Sequence, residues 1–328
     1  MKIGKLNLDR PIALAPMESV TDLSFRLICK QLGADIVYSE FVSSEGLIRK
    51  SDKALRKMQF LEEERPIGIQ IYGGIESSMI TAAKISQELS PDFIDINAGC
   101  WVKNVVKQNA GAALLKDILL MEKLISGVVL SVQLPVTVKT RLGWDTDNIK
   151  IVEVAKMLET IGVAALTVHC RTRVQAHKGD VDYSWIPKIK EKVKIPIIVN
   201  GGITTPEIAA RVFESTGCDG IMIGQGAINN PFIFRETKYY MQNGELPQPI
   251  SLNEKIEVMK KHLKLSVIHK GEKRGVIEFR KHYSGYLHSF PNAARIRSEL
   301  MKFTELEPIL DNLDKLLHSD EAEISIKL

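Results

Sequence analysis

Cysteine, lysine and histidine placed at the ends of apolar runs are where this 328-residue sequence concentrates its reactive groups. Cys100 closes the stretch Asp95-Ile-Asn-Ala-Gly-Cys, where a thiol can act as a nucleophile or as a proton donor. Cys29, Cys170 and Cys218 fall in or beside helical and strand cores, where thiols are usually inert. Lys139 ends Pro-Val-Thr-Val-Lys, and a lysine facing an apolar interior keeps its charge only near an anion, so an anionic ligand is the natural reason for it. His169 ends Ala-Leu-Thr-Val-His, which fits either a hydrogen-bonding or a catalytic role. Asn200-Gly201-Gly202 and Gly224-Gln225-Gly226 follow the last two runs. Their glycines would let backbone N–H groups approach an anion, which suits a phosphate; tight turns are the alternative. Pro16-Met17, Glu40, Gln70 and Asn97 end the other runs. There is no His-x-x-x-His pair and no Gly-x-Ser-x-Gly elbow, and carboxylates are sparse at these positions, so neither a metal centre nor a serine hydrolase is expected.

Such residues need a scaffold that brings strand ends to one rim. Short β-branched or apolar runs recur at Ile12–Ala15, Ile36–Ser39, Ile67–Ile71, Phe93–Asn97, Pro135–Lys139, Ala164–His169, Ile195–Asn200 and Gly220–Gly224. Most are continuous rather than alternating, as strands covered on both faces of a parallel sheet should be. Helical patterns lie between them, as at Ile75–Leu89, Asn148–Ile161 and Pro206–Thr216. Thr21-Asp22 and Thr205-Pro206 supply helix starts, and Gly33 and Gly162 supply stops. Eight strand–helix units in about 240 residues predict a (β/α)8 TIM barrel, whose chemistry gathers at the C-terminal ends of the strands. The first strand is not followed by the Gly-x-Gly-x-x-Gly of a doubly wound nucleotide-binding sheet. After Phe234 the strand pattern stops, and Asn243-Gly244 with Pro247–Pro249 reads as a linker. The expected division is a barrel over 1–243 and a helical domain over 250–328.

The net charge of +4 hides an asymmetry. Residues 260–302 carry eleven Lys or Arg against three acids, a net +8, whereas 303–328 carry a net −5. A basic block before an acidic tail fits a polyanion-binding module or a solvated helical face. Four well-separated cysteines with no Cys-x-x-Cys argue against a disulfide framework and suit a reducing cytoplasm. Met1–Leu14 lacks the apolar core of a signal peptide, and Leu124–Val138 is too short to span a bilayer and is broken by Pro135, so no membrane segment is expected.

Taken in order, Ala15-Pro16-Met17-x-x-Val20-Thr21-Asp22-x-x-Phe25-Arg26, Gln70-Ile-Tyr-Gly73, Asp95-Ile-Asn97-x-Gly99-Cys100 and Val138-Lys139-Thr-Arg141-x-Gly143-Trp144 resemble the tRNA-dihydrouridine synthases. His169-x-Arg171-Thr-Arg173, Asn200-Gly201, Met222-Ile-Gly224-x-Gly226-Ala227 and Arg280-Lys281-His282-x-x-x-Tyr286 extend the resemblance over essentially the whole chain, closest to the bacterial B branch. It implies a TIM barrel with a C-terminal helical domain that uses FMN and NADPH to reduce the C5=C6 bond of uridine in tRNA. Hydride would pass from flavin N5 to uracil C6, and Cys100 would protonate C5. Pro16, Met17, Glu18, Gln70, Lys139, His169, Asn200, Gly201, Gly202, Gly224 and Gln225 would hold FMN. Asn97, Arg171, Arg173, Arg280 and Lys281 would face the uridine or the RNA, with the basic block gripping the backbone of a flipped-base substrate. A monomer without a protein partner is expected. Trp101, Gly202 and Gln225 stand where the family usually has proline, aspartate and arginine. Losing that arginine removes a charge-assisted phosphate contact, so weaker FMN binding is expected. The alternatives are an FMN barrel reductase for a small molecule, the same reaction on ribosomal RNA, and a non-catalytic RNA-binding paralogue.

Overall fold

The computed structural model describes residues 1–288 and 290–317; the last part of the acidic tail, 318–328, lies outside them. The eight expected runs form eight parallel strands: β1 (Ile12–Leu14), β2 (Val37–Tyr38), β3 (Ile67–Tyr72), β4 (Phe93–Ala98), β5 (Val136–Arg141), β6 (Ala165–His169), β7 (Ile197–Asn200) and β8 (Gly220–Ile223). The ladder runs β1-β8-β7-β6-β5-β4-β3-β2. It closes through a single parallel bridge between Ala13 and Ile36, with the Leu14 N–H donating to the Ile36 carbonyl at 2.9 Å. This is the TIM barrel that the repeats predict.

Two features were not expected. A hairpin of Lys2–Ile3 and Leu6–Asn7 precedes the barrel. It packs Ile3 against the inward-facing Ala13, Ile36, Phe93, Ile198 and Met222, away from the strand ends that carry the chemistry. Val42–Ser43 also pairs with β3 and leads into helices Ser44–Ile48 and Asp52–Met58. Unlike β2, these two-residue strands do not lie within a longer apolar run, so the pattern is too short to read from sequence.

Helix Leu23–Gln31 starts where expected: the Asp22 carboxylate caps it by accepting from the Phe25 N–H at 3.0 Å. Arg26 is fully buried against Glu64 (2.7 Å) and also donates to the Thr21 and Gln59 carbonyls, fastening the 59–64 turn to this helix. Its opposite side serves a second core. Ile28 and Leu32, with Phe232, join Ile256, Met259, Leu263, Phe279, Tyr283, Tyr286 and Leu313 of the C-terminal helices. Phe25 stacks on His262 and meets the tilted ring of His282 there.

Those helices span Leu252–Lys270, Glu272–Phe279, Tyr283–Tyr286, Ala293–Leu300 and Leu306–Leu317. Their basic block is partly neutralised internally: Lys260 pairs with Asp314, Lys270 with Asp22 and Glu278, Arg274 with Glu278, and Lys302 with Glu299. Lys261, Lys264 and Lys273 remain exposed. The Asp22–Lys270 pair (2.5 Å) crosses from the barrel to the C-terminal helices, and it holds the Asp22 carboxyl well below the usual range against the opposing effect of burial. Asp22→Ala removes this pair and the helix cap together. It is expected to lower stability by about 2 kcal/mol at pH 7, seen as a lower denaturation midpoint. Because the carboxyl's pKa is depressed, its contribution is full above about pH 4 and lost as pH falls further, so wild type and variant should converge in acid.

Candidate active site

The strand ends open onto one cavity of about 460 Å³. Parallel register decides which side chains meet there. Asn97 lies opposite Lys139, and Arg141 and Asn200 both lie opposite His169, so β4 to β7 present these groups side by side. Arg141 follows Lys139 by two residues and shares its face of β5.

Cys100 sits two residues beyond β4, half-buried on the cavity wall. Its loop is closely held. The Asn97 side-chain oxygen accepts from the Gly99 and Cys100 N–H groups at 3.1 and 2.8 Å, and the Cys100 carbonyl accepts from Ala112 at 2.9 Å. Asn97 is itself fixed from below, donating to Gln70 at 2.8 Å, while Gln70 donates to Asp95 at 2.5 Å. Thr137 satisfies the other Asp95 oxygen at 2.5 Å. Gln70 is therefore fully buried one layer beneath the cavity rather than on its wall, and it acts on the thiol loop through Asn97.

Arg141, known from sequence only as part of the resemblance and without a role, braces the site. Its Nε donates to the Gly99 carbonyl (2.8 Å), and Nη1 donates to the Thr172 (3.0 Å) and Ala176 (2.8 Å) carbonyls, so one buried guanidinium holds the loops after β4 and β6. Ending β5 at Lys139 hid it; the ladder continues to Arg141. Trp101, already marked as a departure from the family pattern, lines the cavity, and so does His177, which nothing in the sequence announces.

Pro16 and Met17 after β1, His169 at the end of β6 and Arg171 after it, Asn200 at the end of β7 with Gly201-Gly202 after it, and Gly224-Gln225 after β8 all reach the cavity. The Asn200 side chain ties the last two strands together by donating to the Met222 carbonyl at 2.8 Å. Gly201 and Gly202 have φ of +108° and +72°, and a Cβ would come within 2.8 Å of the His169 ring or 2.9 Å of the Tyr183 hydroxyl. Positive φ and these close approaches favour glycine, most strongly at 201, where the obstacle is the His169 ring. Glu18 lines the cavity too, but its carboxylate is engaged by Lys57.

Three residues expected at the RNA lie off the cavity wall. The Arg173 guanidinium stacks on Trp144 at 4.6 Å, and Arg280 donates to the Phe303 carbonyl at 3.2 Å. Lys281 donates to the Ser19 carbonyl, next to Glu18, bringing the C-terminal helices to the cavity's edge.

Burial sets the charge of each group. It pulls the Lys139 ammonium down to about 8, with Arg141 adding repulsion, so the charge is retained at neutral pH but weakly. Burial first, and the neighbouring cations Lys139, Arg141 and Arg171 second, push His169 well below its usual range, leaving a neutral imidazole. Burial also raises the Cys100 thiol, which stays protonated. The wall thus offers a cation, a neutral imidazole and a protonated thiol around one space.

Comparison with known proteins places the chain in a family. The family model described as dihydrouridine synthase matches residues 13–321. The tRNA-dihydrouridine synthase B of Pseudomonas syringae pv. tomato is 39% identical over 307 residues, covering 94% of this chain and 91% of its own. That of Proteus vulgaris is 41% identical over 287 residues, covering 88% and 89%. Among solved structures, an old yellow enzyme homologue from Zymomonas mobilis (TM-score 0.53, 15% identity, 76% of this chain and 93% of that one) and morphinone reductase (0.54, 13%, 76% and 90%) share the barrel. Among the described residues no helix is long and apolar enough to cross a membrane.

Proposed function

Since the chain belongs to the dihydrouridine synthase family and is an oxidoreductase, we propose that it reduces the C5=C6 bond of a uridine in tRNA, with FMN as cofactor, NADPH as reductant and Cys100 as proton donor. The observation that carries this reading is the convergence of the protonated Cys100 thiol and the Lys139 ammonium on one cavity whose far side is two glycine turns. The residues fit FMN. Gly201 and Gly202, at positive φ and without side chains, bring backbone to the cavity wall, and Lys139 is a partly buried cation with no carboxylate within ion-pair distance among the described residues. When bound, FMN would supply the hydride that uracil C6 receives.

The chain's own residues do the rest. Lys139 offsets negative charge on the bound ring system, and the low dielectric that lowers its pKa strengthens that effect. The glycine turns after β7 and β8 offer N–H groups to the phosphate. Gln225 adds no charge there, so flavin should be held less firmly than by an arginine. Neutral His169 serves as a hydrogen-bonding partner rather than a second cation. Cys100 delivers its proton to C5 as hydride reaches C6, which saturates the bond and leaves a thiolate for solvent to reprotonate. A thiol with a raised pKa suits this step because it is protonated when the base arrives. Exposed Lys261, Lys264 and Lys273 provide the screened, salt-dependent grip on the RNA backbone.

Mass spectrometry of digested RNA from cells with and without this protein tests the proposal. The expected result is loss, on deletion, of tRNA uridines two hydrogens heavier than normal. An unchanged tRNA map would overturn it, and loss confined to ribosomal RNA would move the substrate. The purified protein should be yellow or become so with excess FMN.

A further inference from the structure

Trp101 directly follows Cys100, and its indole Nε1 donates to Nε2 of His177 at 3.1 Å, with the rings edge to face at 5.5 Å. This bond links the thiol loop after β4 to the 170–184 loop after β6. Arg141 already ties the same two loops through the Gly99, Thr172 and Ala176 carbonyls. One tie leaves two loops free to turn about it, and a second, separate tie removes that freedom. The approach of His177 is itself enforced. Ala176, the residue before it, has φ of +51°, a conformation costing an L residue about 1–2 kcal/mol, and the Arg141 bond to its carbonyl holds it there.

We infer that Trp101 and His177 form a strap that fixes the Cys100 loop against the 170–184 loop, making both of them positioning residues for the proton-donating thiol. The inference rests on the role proposed above for Cys100. It also accounts for an indole where the family usually has proline: the conformational restraint of a fixed φ is replaced by a bond to a neighbouring loop.

The strap has a built-in condition. An indole N–H only donates, so His177 Nε2 must be unprotonated to accept. The groups facing His177 are Lys139 and Arg141 from β5, His169 from β6 (ring centroids 6.1 Å apart) and Arg171 from its own loop. Burial and the three cations hold His177 below the usual histidine range, so the strap stands at neutral pH and opens only on acidification.

Two measurements test this on the full-length protein. The first needs no turnover. In 15N-labelled protein the three indole N–H signals come from Trp101, Trp144 and Trp185, and Trp101→Phe identifies the first. That signal should exchange slowly at neutral pH and shift as pH falls below 6.5, and His177→Gln, which offers a non-titrating oxygen, should abolish the shift. An indole signal indifferent to pH and to position 177 would overturn the strap. The second is kinetic. Trp101→Phe and His177→Ala should each lower kcat about three- to tenfold, the equivalent of one hydrogen bond, with KM for RNA little changed. His177→Gln should recover most of that loss and remove the acid limb of the pH profile. If Cys100→Ala abolishes activity but Trp101→Phe leaves kcat and its pH profile unmoved, the strap does not position the thiol. If Cys100→Ala reduces uridine within about threefold of the wild-type rate, the proton-donor reading fails instead.

Discussion

Cys100→Ala is expected to lower the rate of uridine reduction by about 10²–10⁴-fold, the usual contribution of a positioned general acid. The other groups on the cavity wall are poor substitutes. The His169 imidazole is neutral, and Arg141 is committed to three carbonyls. Lys139 retains a proton to give, so it sets the residual rate. The thiol's two backbone partners, Asn97 and Ala112, do not involve its side chain, so the loop should keep its shape in the variant. Reduction of bound flavin by NADPH should therefore proceed normally, while its reoxidation by RNA in a single turnover should stall. A reoxidation rate within threefold of wild type would remove Cys100 from the reaction. In wild type the thiol must be protonated, so activity should hold through the ordinary thiol range and decline only at higher pH, because burial raises the thiol's pKa.

Lys139→Met should act in opposite directions on stability and function. Burial lowers the ammonium's pKa from 10.5 to about 8, and at 1.36 kcal/mol per pKa unit the folded protein carries a cost of up to about 3 kcal/mol to keep the charge. The sign follows from linkage. With the folded pKa below the unfolded one, the cost is full below pH 8 and fades as pH climbs to 10.5. Methionine is of similar length and uncharged, so flavin-free Lys139→Met should melt higher than wild type at pH 7 and no higher at pH 10.5. Activity should fall by about 10²–10³-fold, and flavin should be held more weakly. In wild type, an anion entering the cavity raises the lysine's pKa again, so FMN affinity should decrease above pH 8, measurable from flavin fluorescence. A variant that melts lower at pH 7, or that keeps wild-type affinity at both pH values, would show that Lys139 serves packing.

The barrel was legible because parallel strands buried on both faces leave unbroken apolar runs, and all eight strands end within two residues of where those runs end. Strand ends also pointed to Cys100, Lys139, His169 and both glycine turns, since the fold forces these positions to one rim. What could not be read depended on pairing across the fold. Gln70 looks like a rim residue until β3 and β4 align it with Asp95, which draws it beneath the cavity. His177 meets Trp101 across 76 residues, with no periodicity to signal it. The basic block likewise reads as free charge until Asp22, 248 residues away, is found against Lys270.

Helix Leu23–Gln31 and its surroundings have one more consequence. Ile28, Leu32 and Phe232 come from the barrel half of the chain but are buried among the C-terminal helices. A barrel cut at the 243–250 connection would show them to water, and C-terminal helices cut there would lose the floor on which they condense. Neither half can melt without raising the free energy of the other, so heat capacity should record one cooperative transition. The proline-rich connection is a boundary in the covalent chain without being one in the energetics of unfolding.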